Sequence, residues 1–159
     1  PPHKGHLYIS KIAAKKFKLD KLIWIVTKKN PFKKKPYLNL GIRIKLVSKI
    51  IKKEKKFCVE HLDSKIKSTN TFNLLNYIKK KNSEKKLYFL IGADNFEKFH
   101  KWHNWKKIPS LAKIVVFPRK GYSTKSTDYI AAKKLNKKDW QYIKSKKINI
   151  SSSIIRKFW

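Results

Sequence analysis

Four short apolar runs, separated by stretches of helical spacing, constrain this chain more than any other feature. Residues 22–27 (LIWIVT), 57–60 (FCVE), 87–91 (LYFLI) and 113–117 (KIVVF) have the length and the β-branched or aromatic content of buried strands. Between them, apolar residues recur at helical spacing. Leu7, Ile9, Ile12, Ala13 and Phe17 fall on one face over residues 7–18. Leu40, Ile44, Val47 and Ile51 do so over residues 40–55, and Leu74, Leu75 and Ile78 over residues 71–81. Asn30-Pro31 and the lysines up to Pro36 read as a loop, Gly92 as a turn into an aromatic-rich helical region reaching about Leu111, and Lys120-Gly121 as another turn. Residues 125–146 stay open between helix and loop, and 148–150 (INI) read as a short strand leading into a helix near Ser152. Strands alternating with helices predict βαβ units and a parallel sheet, whose ligands bind at the carboxyl ends of the strands.

Length and composition narrow the class. The 159 residues and 41% hydrophobic content suit one domain with a real core and are short for two. No stretch approaches the about 18 uninterrupted apolar residues of a membrane span, and no signal-peptide pattern opens the chain. A single cysteine, Cys58, excludes an internal disulfide and fits a cytoplasmic protein. The net charge of +33 invites a nucleic-acid reading. Two observations weigh against a dedicated nucleic-acid partner. The basic residues are lysine except for Arg43, Arg119 and Arg156, and they are spread along the chain instead of being gathered in a stripe.

Two motifs carry chemistry. His3-Lys4-Gly5-His6 places two imidazoles around a glycine where a helix begins. The glycine permits close backbone approach, the helix end offers free N–H groups, and the histidines can donate to charge developing in phosphoryl or nucleotidyl transfer. The competing reading is a pair of surface histidines near a chain end; no third ligand stands nearby for a metal. Ile150-Ser151-Ser152-Ser153-Ile154-Ile155-Arg156 is either a plain N-capped helix start or a phosphate clamp built from Ser152, Ser153 and Arg156.

Together, HxGH near the start and ISSxxIR near the end resemble the paired signatures of the HxGH nucleotidylyltransferase superfamily. The segment from Gly92 to Ile108 (GADNFEKFHKWHNWKKI) is similar to bacterial nicotinate-nucleotide adenylyltransferases in particular, as are Asn30-Pro31-Phe32-Lys33 and Asn70-Thr71-Phe72-Asn73-Leu74-Leu75. The resemblance covers nearly the whole chain and is least marked over residues 122–147. It implies an α/β fold with a Rossmann-like parallel sheet and helices on both faces, as one nucleotidylyltransferase domain over 1–159. The family pattern also has a strand and Gly-rich turn ahead of Pro1 and a helix beyond Trp159, so the resemblance further implies a fragment of lower stability, with sheet edges left unpaired. Asn73 and Leu74 stand where the family commonly has aspartate and threonine.

The resemblance also implies roles. His3 and His6 contact the ATP phosphates and stabilise charge at the α-phosphorus. Gly5, Gly92 and Asp94 line the nucleotide site, and Ser152, Ser153 and Arg156 hold the triphosphate, with Arg156 favouring the departing pyrophosphate. Trp102 stacks on the pyridine ring, Thr71 helps hold the nicotinate carboxylate, and Asn30 and Lys33 lie in the loop beside them. The reaction is adenylyl transfer from ATP to nicotinate mononucleotide, with Mg2+ carried on the ATP phosphates and no resident metal. A related enzyme acting on another phosphate acceptor such as phosphopantetheine, a basic RNA-binding protein, and an interaction module are the alternatives; oligomeric state is not readable. For Trp102 and Trp105 the competing reading is core packing, and for Asp94 a simple helix cap.

Overall fold

The structure, a computed structural model, describes residues 2–28, 36–125 and 128–145. Its elements run α1 (Lys4–Lys16), β1 (Leu22–Ile25), α2 (Leu40–Ile51), β2 (Phe57–Glu60), α3 (Asp63–Ile66), α4 (Thr71–Lys81), β3 (Tyr88–Gly92), α5 (Ala93–Glu97), β4 (Lys113–Phe117), α6 (Ile130–Lys134) and β5 (Trp140–Tyr142). Every strand pairing among the described residues is parallel, the arrangement the alternating pattern calls for. The chain divides into two compact units, residues 1–69 with 149–159 and residues 70–148.

In the first unit β1 pairs with β2, Leu22 opposite Phe57 and Trp24 opposite Val59. Side chains alternate along a strand, so Trp24, Val26, Phe57 and Val59 share a face. The apolar stripe of α2 (Leu40, Ile44, Val47, Ile50 and Ile51) packs on these residues. This is why α2 holds together despite β-branched Val47, Ile50 and Ile51 in its last two turns: packing supplies what helix propensity does not. Asn39 caps α2 by accepting from the Ile42 N–H at 2.9 Å. Cys58 lies on the opposite face of β2, and burial pushes its thiol above the ordinary value.

The second unit is a three-stranded sheet ordered β3-β4-β5. Its register stacks Phe89, Ile114 and Trp140 in one row and Ile91, Val116 and Tyr142 in the next, all on one face. Phe96 and Phe99, Ile108, Tyr129 and Ala131 cover that face. Val115 and Phe117, on the other face of the middle strand, are also buried. A central parallel strand is buried on both sides, which accounts for the uninterrupted apolar run KIVVF.

Several sequence expectations need correction. The helical region after Gly92 stops at Glu97 and continues as two 3₁₀ turns, Phe99–Lys101 and Trp105–Ser110. Trp102 is extended (φ −80°, ψ 148°) and Asn104 is left-handed (φ 50°), so the helix cannot run through, and Pro109 sits in the second turn. Trp102 and Trp105 therefore do not share a helix. Residues 125–146 contain α6 and β5, too short to leave a periodic signature. The expected strand at 148–150 and the helix near Ser152 lie outside the described residues.

Tyr129 illustrates how tightly the second unit is closed. Its hydroxyl donates to Ser123 O at 2.5 Å, and burial first, then the neighbouring Tyr142 and acidic Glu97, Asp128 and Asp94, push its pKa from 10.0 up to about 12. The folded state thus holds this proton more tightly than the unfolded chain. Its stabilisation is complete below pH 10 and is lost between about pH 10 and 12, amounting to about 2–3 kcal/mol. Tyr129→Phe lacks the hydroxyl and should be less stable than wild type by about 1 kcal/mol at pH 8. Urea midpoints measured from pH 8 to 11.5 should bring the two proteins together and then reverse their order; a constant gap across that range would refute the shift.

Candidate nucleotide site

The first cluster is built by the start of α1. His3 is the N-cap residue in extended conformation (φ −152°, ψ 170°). The Gly5 N–H donates to His3 Nδ1 at 3.1 Å, and the His3 N–H donates to His6 Nδ1 at 3.3 Å. The pair forms a reciprocal capping box, the role a serine or threonine and a glutamate usually fill. This explains why the helix begins at Lys4, earlier than its apolar spacing suggests. His3 is 6% exposed, so it is not a surface residue, and the two rings stack at 3.9 Å between centroids. His6 is half-buried and also meets the Trp24 ring edge-on at 5.9 Å. Trp24 is itself held by donation from its Nε1 to the buried Ser10 Oγ at 3.0 Å.

These hydrogen bonds assign the tautomers. Each Nδ1 accepts from a backbone N–H and must carry its lone pair, so each Nε2 carries the proton. The motif therefore places two imidazole rings, that of His3 buried, at the N-terminus of a 13-residue helix whose own dipole favours anions. Gly5 is buried in the first turn of the helix.

The second cluster lies in the other unit. Gly92 ends β3 and serves as the N-cap of α5. A Cβ built on Gly92 would overlap Asp94 Oδ1, so the carboxylate lies back over the glycine and would have to swing aside for any larger residue there. Asp94 contributes negative charge to the first turn of α5. Thr71 opens α4, whose cap is Asn70, accepting from the Asn73 N–H at 2.9 Å. Phe72 meets His103 edge-on at 6.2 Å, which brings the start of α4 to the turn carrying Trp102. Trp102 is half-buried against Phe99 (5.2 Å) and Phe89 (6.1 Å). Core packing thus holds this indole, as the alternative reading has it, while part of it stays accessible. Asn30, Lys33, Ser152, Ser153 and Arg156 lie outside the described residues.

The sequence model of the cytidylyltransferase-like family matches residues 1–158. A probable nicotinate-nucleotide adenylyltransferase of Pelagibacter ubique (strain HTCC1062) is 43% identical over 159 residues, 99% of this chain and 87% of the relative. The chain belongs to the cytidylyltransferase-like family, among its nicotinate-nucleotide adenylyltransferases. A second such relative, from Aquifex aeolicus (strain VF5), is 32% identical over 96% of this chain and 94% of its own length. Among solved structures, the Plasmodium falciparum nicotinic acid mononucleotide adenylyltransferase complexed with NaAD superposes with a TM-score of 0.81 at 20% identity, covering 99% of this chain and 78% of that one. The same enzyme complexed with APC gives 0.79 at 19% identity. These likenesses carry the α/β Rossmann-like fold to this adenylyltransferase. No helix among its described residues is long and apolar enough to cross a membrane.

Sequence reasoning missed four side chains of this family member that support the clusters: Trp24 and Ser10 behind His6, and Arg43 and Asp63 beside the end of β1. One of them left a trace. In a chain whose cations are nearly all lysine, an arginine marks a place where a planar fork is needed, and Arg43 bonds two successive carbonyls. Nothing comparable distinguished Asp63, Ser10 or Trp24.

Proposed function

We propose that this chain transfers the adenylyl group of ATP to nicotinate mononucleotide, releasing pyrophosphate and forming nicotinate adenine dinucleotide. The observation that carries this is the His3–His6 capping box. It commits both Nδ1 atoms to the backbone and fixes both rings at the N-terminus of α1, where phosphate oxygens would be received. The 43% identity to a named relative supplies the acceptor.

In the reaction a 5′-phosphate oxygen of nicotinate mononucleotide attacks the α-phosphorus of ATP in line. The new P–O bond forms as the bond to the bridging oxygen of the β-phosphate breaks, and the electron pair leaves with pyrophosphate. The nucleophile is already an anion and needs no general base, so positioning and charge neutralisation dominate. His6 is the more accessible donor and faces the α-phosphoryl oxygens. His3, buried beneath it, orients His6 and adds its own Nε2–H. Ser152, Ser153 and Arg156 hold the triphosphate, Arg156 on the side of the leaving pyrophosphate. Gly92 allows close approach of the nucleotide to the strand end, Trp102 offers an aromatic face to the pyridine ring, and Thr71 with the open end of α4 receives the nicotinate carboxylate. Asn30 and Lys33 complete the acceptor's surroundings.

Magnesium would enter on the ATP phosphates and reduce their charge. Among the described residues no group of three or more His, Cys, Asp or Glu side chains is placed to hold a metal ion. The cation would be bound mainly by phosphate and water, with the half-buried Asp94 carboxylate as the oxygen donor the protein would add.

Pyrophosphate release from ATP and magnesium tests the reading. Release should depend on nicotinate mononucleotide and fall when the nicotinamide form replaces it. Release with phosphopantetheine but not with the pyridine nucleotide would move the chain to another acceptor.

A further inference from the structure

The backbone ladder between β1 and β2 ends where the Val26 N–H donates to Glu60 O at 2.9 Å. Side chains then take over. His61 Nδ1–H donates to Val26 O at 2.7 Å. Arg43, on α2, donates from Nη1 to Thr27 O at 2.8 Å and from Nη2 to Lys28 O at 3.2 Å. The Lys28 N–H donates to Asp63 Oδ2 at 2.5 Å. Three consecutive residues at the carboxyl end of one strand are thus gripped from two directions.

Asp63 is 6% exposed. Burying a carboxylate is costly unless it is hydrogen-bonded or paired. The ion pairs among the described residues are Lys11–Glu54 and Lys21–Glu60, neither of which involves it. Its described partner is the backbone of Lys28, whose N–H the carboxylate oxygen accepts. In open parallel α/β folds, the segment leaving the carboxyl end of a strand is the one that meets ligand. Asn30 and Lys33, assigned above to the acceptor nucleotide, follow directly in sequence.

We propose that Asp63 and Arg43, assisted by His61, are positioning residues that fix the Val26–Lys28 backbone and thereby set the affinity for the acceptor nucleotide. The inference rests on the adenylyl-transfer reading. The carboxylate serves as an acceptor and not as a charge, so Asp63→Asn, which keeps an oxygen, should preserve the clamp, and Asp63→Ala should abolish it. Arg43→Lys keeps the cation but cannot bridge two carbonyls.

The experiment uses the full chain and has two arms. In the first, amide hydrogen exchange at Lys28 is followed without substrate. Protection should drop about tenfold or more in Asp63→Ala and persist in Asp63→Asn. In the second, steady-state constants are measured with the acceptor that wild type uses. KM for that acceptor should rise about tenfold or more in Asp63→Ala and in Arg43→Lys, with KM for ATP within about twofold and Asp63→Asn within about threefold of wild type. If Asp63→Ala does not fold, Arg43→Lys carries both arms. Equal acceptor KM in wild type and variants, or proportional loss of every constant together with thermal stability, would overturn the proposal and leave Asp63 a purely structural residue. A wild type without adenylyl transfer would overturn the reading of function and, with it, this role; the exchange arm would still report whether the clamp holds.

Discussion

Turnover of His6→Ala is expected to fall by about 100-fold or more, with the dissociation constant for ATP within a few-fold of wild type. In the proposed reaction the His6 Nε2–H acts as one preorganised donor to charge that grows during the transfer, and removing one such donor costs about 3–4 kcal/mol in comparable sites. Ground-state ATP loses less, because the helix end and the remaining phosphate ligands still hold it. The substitution has a second consequence that must be separated. His6 Nδ1 also caps the His3 N–H, so alanine weakens α1 by about 1 kcal/mol. His6→Gln resolves the two, because a glutamine at this position of a capping box can reach back to the N-cap backbone. Thermal melting should therefore recover in His6→Gln while turnover stays low. Recovery of turnover along with melting would show that the imidazole acts only as a cap. Single-turnover pyrophosphate release and ATP binding, measured on both variants, decide between these outcomes.

That dual use of His6 also explains what could be read from the sequence. The HxGH spacing pointed to a ligand-facing pair but gave no sign that both Nδ1 atoms close the helix. Serine, threonine, aspartate and asparagine are the residues that normally signal a cap, so the motif marked a helix start without showing what caps it. β2, α4 and β4 were legible to the residue, because each is a full apolar run or stripe between clear breakers. The stretch from Gly92 to Leu111 was not. Its aromatic residues are frequent enough to imitate helical spacing, while the decisive event, left-handed backbone at Asn104 after an extended Trp102, depends on how the rings pack against Phe89 and Phe99. α3 and β5 are too short to carry a period. Within the candidate site, residue types known for chemistry were found, and those acting through them were missed. Asp63 is one of nine acidic residues in the chain and nothing in its neighbourhood announces burial; its role exists only once β1 and β2 are paired.

Phe96→Ala is expected to destabilise the second unit by about 3–5 kcal/mol, a large part of the about 5–15 kcal/mol available to a domain. Phe96 is fully buried, with ring centroids 5.3 Å from Trp140, 5.5 Å from Tyr129 and 5.9 Å from Phe99. Deleting the ring leaves a cavity among three aromatic neighbours, each of which also loses a favourable ring contact. The effect reaches the site because α5 has five residues and cannot be stable alone. Burial of Ala93 and Phe96 anchors it, and Asp94 stands between them in sequence, folded over Gly92. Loosening α5 therefore frees the carboxylate proposed to line the nucleotide site. Phe96→Leu retains most of the volume and should cost about half as much or less. Urea denaturation followed by near-ultraviolet circular dichroism, which reports on the packed tryptophans, measures both variants. A loss below about 1 kcal/mol in Phe96→Ala would mean that the aromatic cluster is not what holds this unit together, and the link from core to Asp94 would fail with it.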